Sequence, residues 1–143
     1  MIKSYRGKLG DNTQEHIRLG TPQGKVGYRI HKLAIMGDLP AGANQESVVK
    51  IYKNIQTSYD AVVDFSDSSL LAAAYLEAAA DAKTESQPQV VIFDNEIVNQ
   101  DIFITHKDSE SGEDCNFYLE LEQVKLSEQE ALVSIVKNLR NQP

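Results

Sequence analysis

Cys115 and His106 are the one nucleophile–base pair that this 143-residue chain offers. A thiol becomes a nucleophile when a neighbouring imidazole takes its proton. The two residues flank a polar stretch, 107–114, and come close if the segments on either side form a hairpin. Acyl transfer also needs an oxyanion hole, and no Gly-rich elbow supplies one. Cys115 shares an apolar stripe with Phe117, where a cysteine packs as a small hydrophobe. The pattern favours a structural cysteine.

The other candidates also lack a specific motif. His16, His31 and His106 are scattered, and none has the i, i+4 spacing of a helical zinc pair. The turn Asp108-Ser109-Glu110-Ser111-Gly112-Glu113-Asp114 holds four carboxylates that could meet a calcium ion. It lacks the spacing of the twelve-residue calcium loop, and reads better as a solvated hairpin turn. Gly24-Lys25-Val26 lacks the upstream glycine and the Ser/Thr of a phosphate loop. Lys3, Arg6 and Lys8 around Tyr5 form a basic patch that could touch nucleic acid. In an acidic chain they read instead as charges guarding an edge strand. No catalytic, cofactor-binding or metal-ligating residue is therefore assigned, and no cofactor is expected.

The bulk numbers bound the rest. Residues 1–143 fit one domain. Hydrophobic residues make up 41% and charged residues 24%, ordinary for a globular protein. No apolar run is long enough to cross a membrane as a helix, and the first residues do not read as a signal peptide. A single cysteine excludes an intrachain disulfide and suits a reducing cytoplasm. The net charge of −7 disfavours nucleic-acid or anionic-membrane partners. Residues 1–58 carry +5, with nine Lys and Arg against four Asp and Glu. Residues 59–143 carry −12, with five against seventeen. Neutralisation between paired strands accounts for this most simply. The sharper alternative is a basic face of one copy meeting an acidic face of the next.

Most segments alternate with the period of a strand. Val26, Tyr28 and Ile30 share a face, and the apolar set then shifts to Leu33 and Ile35, which predicts a bulge near His31-Lys32. A second slip follows Glu122, where the set moves to Val124 and Leu126. Strands are expected over 47–56, 61–65, 89–93, 101–106 and 115–126, with Lys53 marking an edge. The Ala- and Leu-rich stretch 69–82 favours a helix by composition, capped by the serines before it. Periodicity alone leaves strand or helix open there. Ser127-Glu128-Gln129-Glu130 is a capping box, and Leu132, Ile135, Val136 and Leu139 continue at helical spacing. The expected fold is mainly β. It is an antiparallel β-sandwich or barrel-like domain with a C-terminal amphipathic helix over about 127–140 and a second helix near 69–82.

Phe93–His106 and Cys115–Leu126, with a weaker match at Gly27-Tyr28-Arg29-Ile30, resemble small proteins of tailed marine bacteriophages and uncultured marine viruses. Such proteins are regarded as virion-associated or left uncharacterised. The resemblance is one of general pattern and transfers no functional residue. It implies a non-enzymatic structural role, as a capsid decoration or cement protein or a tail or connector component. It also implies other virion proteins as partners, a homo-oligomer, and a place in the virion after synthesis in the host cytoplasm. The alternative is a ligand-binding β-sandwich for carbohydrate or receptor recognition, which calls for exposed aromatics in a concave site.

Overall fold

Strict alternation fixes which face of each strand turns inward. Cys115, Phe117, Leu119 and Leu121 are buried, while Asn116, Tyr118, Glu120 and Glu122 between them stay half-buried. Ile102, Ile104 and His106 are fully buried in the same way. The computed structural model describes residues 1–19, 25–39, 44–79, 84–85, 88–93 and 96–126. They form β1 (Ile2–Leu9), β2 (Thr13–Ile17), β3 (Val26–Gly37), β4 (Gln45–Tyr52), β5 (Leu70–Ala79), β6 (Thr84–Glu85), β7 (Gln89–Ile92), β8 (Ile102–Asp108) and β9 (Cys115–Lys125).

All pairings are antiparallel, in two sheets. One has three strands in the order β1-β9-β3. The other has six, in the order β2-β8-β4-β5-β6 with β7 beside β5. Both are open, so the mainly β expectation holds in its sandwich-like form and the barrel does not. Phe117, Leu119, Leu121, Ile30 and Leu33 from the first sheet meet Val49, Ile51, Leu76, Ile102 and Ile104 from the second in one apolar cluster.

The bulge expected near His31 is present: the β3–β9 register shifts between Ile30 and Lys32, and His31 points to solvent. The slip after Glu122 is not a bulge. Pairing runs unbroken from Glu122 to Lys125, and burial simply fades where the strand leaves the core.

Residues 69–82 are not a helix. Leu70–Ala79 is β5, paired with β4 along its length and with β7 on the other side. Ala72, Ala74 and Leu76 enter the core, while Ala73 is buried on the opposite face. A strand covered on both sides has no polar stripe, and context overrides alanine's preference for helix. β8 and β9 do not form a hairpin either. Residues 109–114 carry the chain from one sheet to the other, which alternation cannot distinguish because both strands face the same core. Lys53 marks no edge, since β4 lies between β8 and β5. Residues 61–65 form no strand. The expected helix over 127–140 lies outside the described residues.

Opposite charges do meet between the halves of the chain. Arg29 grips Glu122 with two hydrogen bonds (2.9 and 3.1 Å), and Lys50 pairs with Asp60 (2.9 Å). Lys53 pairs with Glu96, and Lys8 approaches Asp114 (4.0 Å).

Candidate functional site

The Cys115–His106 pair is sealed in the core. His106, Ser47 and Cys115 are fully buried. His106 Nδ1 donates to the Gly10 carbonyl (3.0 Å), so in the neutral ring Nε2 accepts from the Ser47 hydroxyl (2.9 Å). Ser47 in turn accepts from Gln45 Nε2 (2.7 Å) and reaches the thiol. Burial pushes the Cys115 thiol up to about 12, so it carries no useful thiolate at neutral pH. The cluster satisfies buried polar groups where β4, β8 and β9 converge.

The acidic turn is also committed to structure. Asp108 accepts the backbone N–H groups of Glu46 (2.9 Å), Glu110 (3.1 Å) and Glu113 (2.7 Å). Burial alone would raise its pKa, yet these bonds hold it below the usual carboxylate range. With both oxygens so used, the carboxylate organises the crossover between the sheets. No cluster of three metal-ligating side chains occurs among the described residues.

The histidines divide by position. His31 is exposed on the bulge, 4.0 Å from Glu120. His16 gains a partner that lies 85 positions away in sequence: its Nε2 lies 2.7 Å from Asp101 Oδ2, and its ring packs on Phe103 at 4.7 Å. Burial would raise the Asp101 pKa, but the Leu19 N–H and His16 hold it down. This pair borders a cleft of about 380 Å³ shared with Asn54, Ile55 and Gln100.

Two larger surface features lie on opposite sides of the sandwich. The first is residues 54–68, whose ends are joined by the Lys53 N–H donating to the Ser69 carbonyl (2.9 Å), an Ω-loop by its geometry. Val49 and Ile51 face the core, so Lys50 between them points outward under this loop. Its ammonium is buried and donates to Asp60 Oδ1 (2.9 Å) and the Val62 carbonyl (2.7 Å). Burial opposes that charge, and the bonds outweigh it to raise the Lys50 pKa. Three aspartates fix local turns: Asp60 accepts from the Val62 N–H, Asp64 from Ser66 and Asp67 from Ser69. The hydrogen bonds from Ser66 hold the Asp64 pKa down. This hydrogen-bonded frame presents apolar side chains to water. Val62 is 66% and Phe65 61% exposed, with Val63 beside them, and Phe65 meets Phe93 edge to face. Val90 and Val91 of β7 are exposed as well.

The second feature is the outer face of the three-stranded sheet. Register sets Arg6, Tyr118 and Ala34 in one row and Lys8, Asn116 and Met36 in the next. These six line a groove of about 640 Å³, floored by the small side chain of Ala34 and the backbone of Gly7. Lys32 stands over the Tyr118 ring at 5.9 Å, and Tyr118 donates to Glu120 (2.8 Å). Met36 is exposed, and Arg6 makes no ion pair with a described residue.

Comparison with protein families, with characterised proteins and with solved structures gives no match. The site is therefore read from geometry. The apolar crest of residues 62–65 is not evident in the sequence, because Ala61-Val62-Val63-Asp64-Phe65 resembles a strand. The signal that could have found it is three aspartates, each two residues ahead of the N–H it holds. The His16–Asp101 pair had no such signal, since the β2–β8 register alone brings it together.

Proposed function

We propose that this chain is a non-enzymatic structural protein of a bacteriophage particle that works by docking on other particle proteins or on copies of itself. The observation that carries docking is the crest of residues 62–65. A buried lysine and three aspartate turns hold Val62, Val63 and Phe65 in water in one fixed arrangement. Fixed exposed apolar side chains favour a binding surface, because the ordering cost of association is already met. The assignment to a particle comes from the resemblance of residues 93–106 and 115–126 to virion-associated proteins. The amphipathic pattern of residues 127–140 belongs to the same proposal, as a C-terminal helix that covers an apolar surface. Mass spectrometry of purified particles from the source of this sequence is expected to recover the chain in many copies per particle. Particles that lack it would refute the assignment.

A ligand-binding module is the second reading, favoured by the cleft that His16 and Asp101 line beside the aromatic side chain of Phe103. It predicts a hit in a glycan-array screen that is lost in Phe103→Ala, and an array without hits removes its support.

A further inference from the structure

We infer that the groove on the three-stranded sheet receives the apolar crest of a second copy, so that copies join head to tail. This inference rests on the docking reading above and names both surfaces and the partner.

Charge selects the pairing. Residues 54–68 contain Asp60, Asp64 and Asp67 and no lysine or arginine; Asp60 is paired with Lys50, and Asp64 and Asp67, without an ion pair among the described residues, leave the crest net acidic. The groove is bordered by Arg6 and Lys8. Crest against crest would oppose like negative charges, and groove against groove like positive ones. Crest against groove places acid beside base around an apolar centre. Each surface also has an anchor of the type that dominates interfaces: Phe65 on the crest, and Tyr118 with Arg6 in the groove. Ala34 in the floor and the exposed Met36 beside it give the groove the apolar surface that Val62 and Val63 need.

Position decides the form of the assembly. The groove lies on the outer face of one sheet and the loop on the outer face of the other. An interface between different patches is heterologous, so it propagates until it closes as a ring or continues as a filament. The salt dependence expected of such opposed charges follows.

Mixing two variants of the full chain tests this. Val62→Lys disables the crest, and its backbone bonds to Lys50 and Asp60 remain. Arg6→Glu with Met36→Glu disables the groove at two exposed positions. By sedimentation velocity, wild type is expected to associate as concentration rises and to dissociate as salt rises. Each variant alone is expected to associate at least about tenfold more weakly. An equimolar mixture is expected to form pairs and stop there, because one intact crest then meets one intact groove. Wild type that remains a single copy at every concentration in low salt overturns the inference. So does a groove variant that associates like wild type, or a mixture that stays monomeric while both variants keep wild-type circular dichroism. Val63→Lys repeats the crest arm if Val62→Lys does not keep that spectrum. A monomeric protein still recovered from particles would overturn head-to-tail joining and leave the structural role standing.

Discussion

Glu96→Ala is expected to lower the free energy of unfolding by about 3–5 kcal/mol, read from the shift of the urea midpoint. Lys53 sits just past the end of β4 with its side chain only 2% exposed, and Glu96 is its ion-pair partner at 23%. Removing the carboxylate strands an ammonium in a site that water scarcely reaches. The reverse change is milder, because Glu96 can still be partly solvated. Replacing both, Lys53→Met with Glu96→Leu, is expected to recover most of the loss, to within about 1 kcal/mol of wild type. If the double variant is as unstable as Glu96→Ala, buried charge is not what makes that site sensitive. The Lys50–Asp60 pair is similarly lopsided, with the lysine buried and the aspartate exposed.

Asp108→Ala is expected to cost about 2–4 kcal/mol, as the backbone donors of Glu46, Glu110 and Glu113 lose an acceptor that water replaces poorly. The cost should depend on pH. The folded-state pKa of Asp108 lies below its unfolded value, so its contribution is complete above the ordinary aspartate range. That contribution is lost as pH falls through the lower, folded-state value. The gap between wild type and Asp108→Ala should therefore be flat near neutrality and close in acid. Asp60, Asp64, Asp101 and Glu122 are shifted in the same direction, so wild type itself should weaken over that range. A gap that persists unchanged well below the ordinary aspartate range would mean that the carboxylate's charge contributes nothing.

Legibility in the sequence followed the physics of each segment. The bulge at His31 was readable because a period-2 pattern must slip when one residue is extra. The charge split was readable too, since the acids of the second half do meet Lys50, Lys53, Arg29 and Lys8. β5 was not readable, because a strand buried on both faces has no period and its alanines point to helix. The β8–β9 crossover was not readable because a hairpin and a crossover present the same inward-facing residues. The crest was hidden because Ala61-Val62-Val63-Asp64-Phe65 alternates like a strand, and its support is not local. It is held by Lys50, ten positions before Asp60, and nothing local marks that lysine as pointing under a loop.

The order β1-β9-β3 has a consequence for how the chain is made. β9, the last strand among the described residues, lies between the first and the third, so neither has its sheet partner until residues 115–125 exist. At about 5–20 residues per second, that wait is on the order of ten seconds after β3 is synthesised. Throughout it, β1 and β3 carry rows of unpaired backbone groups, the template on which strands of neighbouring chains aggregate. Lys3, Arg6 and Lys8 on one strand and Arg29 and Lys32 on the other interrupt that template with charge. Until β9 arrives, such charges disfavour pairing with the wrong partner.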